Sequence, residues 1–222
     1  MKRPIPRNNV DDMSTRHDPP EASLYIASGC AHCPTVLKGM NELIEQGAIA
    51  RLTVTNITAR PEIARQEGIR SVPWIRIGPF TLHGSYTPAE LRQWAGRAGS
   101  DQGLRDYLAE LIENQRLEEA VGLARTDPHC LELAAGMLGD LETPMGVRIG
   151  IGAMLEELAE SQELGPALAG LRELLHAAEP QVRADAAYYL GLSRQAEVLE
   201  WIRPLLDDED AEVREIAAEA LE

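Results

Sequence analysis

Two cysteines separated by two residues lie where an apolar run gives way to a helical pattern, at residues 30–33 with the sequence Cys-Ala-His-Cys. The preceding run, 24–28, is short, apolar and followed by glycine, which is typical of a buried strand that ends in a tight connection. The following run has helical spacing and begins with Pro34, a residue that the first turn of a helix accepts. We therefore expect a strand-loop-helix junction, with Cys30 just before the helix and Cys33 one turn inside it.

This placement suits a dithiol that opens and closes as a disulfide. The reactive form of cysteine is the thiolate, and a free cysteine has a pKa of roughly 8.5. The unpaired N–H groups at a helix N-terminus favour the anion, and His32 would favour it further if its ring is protonated or donates a hydrogen bond. We expect Cys30 to attack and Cys33 to resolve the mixed disulfide. No cofactor is required, because the electrons reside in the two sulfur atoms.

The rest of the first hundred residues alternates strand and helix patterns. Strands are expected at 51–55, 69–77 and 80–83, and helices at 61–67 and 87–98. The predicted order is strand, helix, strand, helix, strand, strand, helix, which is an α/β arrangement.

The pair Cys30-x-x-Cys33 after the first strand and the segment 68–73, Gly-Ile-Arg-Ser-Val-Pro, resemble the thioredoxin family, with the likeness covering about residues 22–98. It implies a mixed four-stranded sheet with flanking helices and a cis peptide bond between Val72 and Pro73, an uncommon feature in folded proteins. It also implies that Pro73 faces the dithiol and shapes a substrate groove, with Val72, Pro73 and Trp74 as the substrate-binding residues.

Two positions depart from the family pattern. Thioredoxins usually have a tryptophan before the first cysteine and a buried aspartate early in the central strand, where this chain has Gly29 and Leu24. The Ala-His spacer is more similar to the Gly-His of disulfide isomerases or the Pro-His of oxidising bacterial enzymes. A histidine at this position tends to make the couple more oxidising.

Other interpretations of the cysteines remain open. The CxxC pair could be half of a zinc site, with His129 and Cys130 as the second half, although the spacing of that pair is unsuitable. Cys130 alone is more typical of a small buried apolar residue. The dithiol domain could also be a binding module that performs no catalysis, and glutathione-linked chemistry is a third alternative without an evident glutathione-site pattern.

Charge divides the chain sharply. Residues 1–100 carry 12 Lys and Arg against 9 Asp and Glu, a net charge of +3, whereas residues 101–222 carry 9 against 27, a net charge of −18. The asymmetry indicates two domains and disfavours nucleic acid as a partner of the second. With no secretory or membrane-spanning stretch, we expect a flexible tail at 1–21, a cytoplasmic protein and no membrane partner.

The sequence pattern of the second half of the chain predicts a helical repeat. Residues 171–190 align with 202–221 at an offset of 31, and 147–155 align with 182–190 at an offset of 35. Helix pairs of this period with an Asp/Glu-x-x-Val-Arg start resemble HEAT-like repeats, which stack because no single pair can bury its apolar face. The positions expected to line the core are Val182, Ala186, Leu190, Val213, Ala217 and Leu221.

Three arginines, Arg148, Arg183 and Arg214, recur at one repeat position, and the resemblance implies that each pairs with an acidic side chain of a neighbouring repeat. A role in binding a ligand is the less favoured alternative. Residues 104–140 predict three helices at 104–114, 117–125 and 128–138, which lack the repeat motif. The acidic run 207–210 is expected in a solvated loop, with docking of a basic partner as the alternative.

The sequence thus predicts a thioredoxin-like domain at 22–99 followed by an all-α HEAT-like domain at 104–222. The leading hypothesis is a thiol-disulfide oxidoreductase that acts on a protein disulfide or dithiol, with the acidic helical domain binding a partner protein. The alternative is a non-catalytic redox-sensing adaptor in which both domains bind.

Overall fold

The computed structural model describes residues 19–222, so the predicted tail lies outside it except for its last residues. The first strand begins at Glu21, which therefore belongs to the sheet. The first part of the chain consists of β1 (Glu21–Ile26), α1 (Cys33–Glu45), β2 (Arg51–Asn56), α2 (Pro61–Gln66), β3 (Trp74–Ile77), β4 (Phe80–His83) and α3 (Pro88–Arg97). This is the predicted order.

Helices make up the rest of the described chain, together with two short 3-10 segments at Gly165–Ala167 and Arg203–Asp207. They are α4 (Asp101–Glu113), α5 (Leu117–Thr126), α6 (Pro128–Gly139), α7 (Met145–Glu160), α8 (Leu168–Leu174), α9 (Pro180–Leu192), α10 (Ala196–Ile202) and α11 (Ala211–Ala220). Within residues 19–222 no helix is long and apolar enough to cross a membrane.

The strands form one mixed sheet in the order β2-β1-β3-β4. Strand β1 is parallel to β2 and antiparallel to β3, and β3 and β4 form a hairpin around Gly78, whose φ of +53° suits the tight connection. One end of the sheet therefore contains the carboxyl ends of β1 and β4 and the amino end of β3. That end of the sheet carries the dithiol.

The two faces of the sheet pack differently. Leu24 and Ile75 are fully buried on the face that contacts α1 and α3, in a core that continues into the helical part of the chain. Tyr25 and Trp74, which are paired in the β1–β3 register, lie on the opposite face in a small second cluster with Ile69. Alternation along the strands sends neighbouring side chains to opposite faces.

The helical part is joined to the sheet along its β4 edge. The Tyr107 hydroxyl of α4 accepts a hydrogen bond from Thr81 N at 3.0 Å and donates one to Thr81 O at 3.1 Å. The Tyr107 ring packs on Phe80 and Trp94, with centroids 4.8 and 5.7 Å away. Since an edge strand exposes unpaired backbone groups, this tyrosine protects β4 and fixes the helical part beside it.

The helical repeats stack as their sequence pattern predicts. Helices α8 and α9 form one antiparallel pair, and α10 and α11 form the next, with α9 packed on α11. Five of the six predicted core residues are at most 1 % exposed, and Leu221 is only half-buried against the core. The non-repeat helices α4, α5 and α6 begin or end within three residues of their predicted bounds.

The repeated arginines make the acidic pairs implied by the resemblance in two of three cases. Arg183 forms a two-pronged ion pair with Asp208, at 2.8 and 2.7 Å, and Arg148 contacts Asp185 at 3.1 Å. Arg214 departs from the expectation, because it donates to the backbone carbonyls of Asp208 at 2.7 Å and its neighbour at 3.0 Å.

Arg183 also donates to two carbonyls, five and six residues before it, at 3.0 and 2.9 Å. Both arginines therefore close the turn that precedes their own helix, and Arg183 additionally joins two repeats. Each of the three repeated arginines thus binds a carboxylate or backbone carbonyls, and only Arg183 does both.

Candidate active site

The dithiol loop lies at the end of β1, where the structure places the two cysteines in a disulfide with their Cα atoms 5.5 Å apart. The loop turns at Gly29, whose φ is +81°, a conformation that glycine adopts without the strain of a Cβ. Helix α1 begins at Cys33 itself rather than one turn earlier, because His32 is the N-cap and Pro34 occupies the first turn. The predicted strand-loop-helix junction is otherwise confirmed.

Side chains from the end of β2 hold the dithiol loop in place. Asn56 donates to the Ser28 hydroxyl at 3.2 Å and accepts from Thr58 N at 2.9 Å, while Ser28 N donates to the Thr58 hydroxyl at 3.0 Å. Asn56 and Thr58 are far from the CxxC motif in the sequence, and no local pattern singled them out. Their ring of hydrogen bonds connects the two strands just before the first cysteine.

The two sulfur atoms differ in their environment. Cys33 is 4 % exposed and buried inside the protein, whereas Cys30 is partly exposed at the end of the sheet where β1 stops. The backbone N–H of Cys33 donates to the Cys30 sulfur at 3.1 Å. An amide at a helix N-terminus stabilises negative charge, so this contact favours a Cys30 thiolate when the disulfide opens.

The peptide bond between Val72 and Pro73 is cis, as the resemblance implies. The Val72 carbonyl oxygen lies 4.0 Å from the Cys30 sulfur, and Pro73 is buried with its own carbonyl accepting from Gly84 N at 3.0 Å. The loop before β3 therefore borders the dithiol, and the residue that follows β4 is hydrogen-bonded to that loop.

The closeness of His32 and Trp74 to the CxxC and proline motifs in the sequence did not determine where their side chains lie. The exposed His32 ring makes no capping hydrogen bond to α1. Trp74 is 5 % exposed and contacts Tyr25 edge-on at 5.1 Å, on the opposite face of the sheet from Leu24. The Trp74 side chain therefore belongs to the second apolar cluster and supports the loop from within.

The third cysteine lies elsewhere. Cys130 is fully buried in α6, and burial raises the pKa of its thiol to about 12, so it is a protonated core residue at neutral pH. Its neighbour His129 lies at the surface, with its ring 2.9 Å from Asp101 and 3.0 Å from Glu132. Within residues 19–222 no group of three or more His, Cys, Asp or Glu side chains is arranged to hold a metal ion.

A partly exposed CxxC at a helix N-terminus, beside a cis-proline on a four-stranded mixed sheet, defines the class of a thioredoxin-like redox domain. Residues 23–96 match the family model described as Thioredoxin domain, and residues 167–222 match the one described as HEAT repeats. No curated protein matches the chain. The chain thus contains a thioredoxin domain at residues 23–96 and HEAT repeats at residues 167–222, a combination that indicates a redox role together with protein interaction.

Proposed function

We propose that this protein is a thiol-disulfide oxidoreductase that acts on a protein substrate through its Cys-Ala-His-Cys dithiol. The observation that carries this function is the asymmetry of the pair: Cys30 is accessible and receives the Cys33 N–H at 3.1 Å, while Cys33 is buried behind it. This arrangement supplies one attacking and one resolving sulfur. The division into domains at 22–99 and 104–222 is part of the same proposal.

In the reducing direction, the Cys30 thiolate attacks one sulfur of a substrate disulfide and displaces the other sulfur as a thiolate. The mixed disulfide is then attacked at the Cys30 sulfur by Cys33, which releases the second substrate thiol and forms the Cys30–Cys33 disulfide. Two electrons pass from the dithiol to the substrate, so a dithiol reductant must restore the enzyme. The reverse sequence oxidises a substrate dithiol, and both directions proceed without a cofactor.

The substrate chain is proposed to lie along the Val72 and Pro73 loop, next to the attacking sulfur. The Val72 carbonyl, 4.0 Å from Cys30, is suited to accept a hydrogen bond from a substrate backbone N–H. The buried Trp74 would act behind this loop by holding it in position. His32 is exposed where an incoming substrate would meet it.

The acidic helical domain is proposed to bind the partner protein, since stacked repeats offer an extended surface. A cytoplasmic location also remains a prediction, and it fits a chain in which the third cysteine is a free buried thiol.

One observation favours a redox-sensing adaptor as the second candidate. Leu24 is fully buried at the position where thioredoxins usually have an aspartate that helps to move protons. An apolar side chain cannot relay a proton to the buried sulfur, so the dithiol could change state slowly and report on redox conditions.

Insulin reduction with dithiothreitol as the electron source separates the two functions. The wild type and the control Cys130→Ala should turn over, because the third thiol is remote in the core, while Cys30→Ser should be inactive. When the reduced Cys33→Ser variant is freed of dithiothreitol and mixed with insulin, it should accumulate a mixed disulfide on Cys30. Equal turnover by the wild type and Cys30→Ser would eliminate the enzymatic function and leave the adaptor.

A further inference from the structure

A patch of exposed apolar side chains lies at the beginning of α7. Six large apolar residues are exposed within residues 19–222, and three of them occur within nine residues of each other. Leu141 is 60 % exposed, Met145 67 % and Ile149 66 %. Met145 and Ile149 are one turn apart on the same face of α7, and Leu141 lies in the turn that leads into it. We name these three residues the α7 patch.

The α7 patch lies at the same end of the molecule as the dithiol. Helix α4 contacts β4 through Tyr107, which binds Thr81, and its last turn contributes Ile112, which packs against Gly150 of α7. At the opposite end of α7, Arg125 of α5 contacts Glu157 at 3.8 Å.

The direction of α5 agrees with this placement. Glu119, near the beginning of α5, lies 3.8 Å from His83 at the end of β4. The next residue, Gly84, donates its N–H to the carbonyl of Pro73 in the loop beside the dithiol. The beginnings of α5 and α7 therefore face the dithiol end, whereas their last turns lie away from it.

Three exposed carboxylates are close in the chain to the α7 patch or to the residue that packs against α7. Asp140 and Glu142 flank Leu141, and Glu113 follows the isoleucine that packs against α7. In the part of the chain that the structure describes, none of these three carboxylates forms an ion pair with a basic side chain. An apolar stripe with acidic neighbours that have no basic side-chain partner in the described chain complements a helix with an apolar face flanked by lysine or arginine.

A second copy of the chain is a poorer occupant than a basic partner. A symmetric contact through the α7 patch would bring the same carboxylates of both copies together. Each copy also has a net charge of −15, which adds general repulsion.

We infer that the α7 patch docks a basic amphipathic helical segment of a partner protein and holds that partner at the end of the molecule that carries the dithiol. The docking step is independent of the redox chemistry, whereas presentation of a partner disulfide to Cys30 rests on the proposed oxidoreductase function. In that step the Cys30–Cys33 dithiol becomes a disulfide and the partner disulfide becomes two thiols.

The binding test uses two designed helical peptides that share a leucine face and carry either lysine or glutamate at all other positions. Fluorescence anisotropy should detect binding of the lysine peptide to the wild type and no binding of the glutamate peptide. The double substitution Met145→Glu with Ile149→Glu should weaken binding at least about tenfold, as expected for loss of interface anchors. Leu206→Glu, an exposed leucine in the last repeat, serves as the matched control and should change affinity less than about twofold.

The double variant separates apolar docking from general attraction, because it adds two negative charges to an acidic surface. If the lysine peptide bound only through charge, the variant would bind it equally or more tightly, and docking at the α7 patch would be wrong. Absence of lysine-peptide binding to the wild type, or equal binding of the glutamate peptide, would also overturn it. A wild-type dimer in sedimentation that the double variant dissociates would show that a second copy covers the patch.

Folding of the variants is checked by thermal denaturation followed by circular dichroism. Both side chains are mostly solvent-exposed, so the transition should stay close to that of the wild type. Ile149→Ser, which adds no charge, provides the second variant and should also weaken binding of the lysine peptide.

The presentation step is measured with the lysine peptide joined to a reporter thiol by a disulfide at either end. The reduced wild type should release the reporter from at least one of the two peptides faster than the double variant does, while both reduce a small aromatic disulfide at the same rate. If the small disulfide is reduced and neither peptide shows an advantage, presentation is wrong. If neither protein reduces the small disulfide, the oxidoreductase function fails, and the binding experiment still decides whether the α7 patch docks the peptide.

Discussion

Removal of the Tyr107 hydroxyl tests how the helical part is fixed to the sheet. Tyr107→Phe keeps the ring that packs on Phe80 and Trp94, but it removes both hydrogen bonds to the backbone of Thr81. A hydrogen bond contributes about 1 kcal/mol net, and an orphaned buried group costs about 1–3 kcal/mol. Because Thr81 is only partly buried, water can compensate in part. We expect a loss of about 2 kcal/mol in the free energy of unfolding.

The assay is urea denaturation followed by circular dichroism and tryptophan fluorescence, with Tyr188→Phe as the control. Tyr188 donates its hydroxyl to Glu156 at 3.0 Å on an exposed surface, so its variant should stay within about 0.5 kcal/mol of the wild type. A loss below about 0.5 kcal/mol in Tyr107→Phe would refute the role given to this hydroxyl at the β4 edge.

Three further predictions concern the helical part. Gly122→Ala should raise the free energy of unfolding by about 0.5–1 kcal/mol, because the added Cβ meets open space in the middle of α5. Gly103→Ala should lower the free energy of unfolding, because the added Cβ would overlap the backbone of Arg97. The opposite order in urea denaturation would contradict this packing. Hydrogen bonds to two carboxylates raise the pKa of His129, so its contribution to stability is complete below its unfolded pKa of about 6.5 and is lost as pH rises through the folded value. The stability difference between wild type and His129→Gln should therefore shrink from about pH 6 to about pH 9, and a difference that grows would be contrary to this linkage. Arg183→Met should lower the melting temperature more than Arg203→Met. The first substitution leaves the shielded carboxylate of Asp208 unpaired, whereas the second removes an exposed ion pair with Glu200. Equal shifts in melting temperature would count against a structural role for the repeated arginine.

Local sequence patterns determined the dithiol junction and most element types. The change from β1 to α1 is predicted by a short apolar run, a glycine and then a proline at the start of helical spacing. All of these residues lie within a few positions of each other in the sequence. The internal repeat likewise identified Arg183, whose acidic partner Asp208 lies in the next repeat.

Contacts between distant segments could not be predicted in this way. Trp74 follows Pro73 in the sequence, yet strand alternation and pairing with Tyr25 bury its side chain in the second cluster. Strand β3 begins at Trp74 and not at Ile69, because the preceding residues form the loop beside the dithiol. The Tyr107 contact with β4 also depends on how the helical part packs against the sheet, which helical periodicity does not specify.

Competitive alkylation of the reduced protein tests most directly whether residues 30–33 work as an asymmetric dithiol. With limiting iodoacetamide at neutral pH and peptide mapping by mass spectrometry, Cys30 should be alkylated at least about tenfold faster than Cys33, and Cys130 should stay unmodified until the protein is unfolded. The expected order follows from the exposure of Cys30 and the amide that donates to its sulfur. Equal rates at Cys30 and Cys33, or faster reaction at Cys33, would contradict the assignment of Cys30 as the attacking thiol.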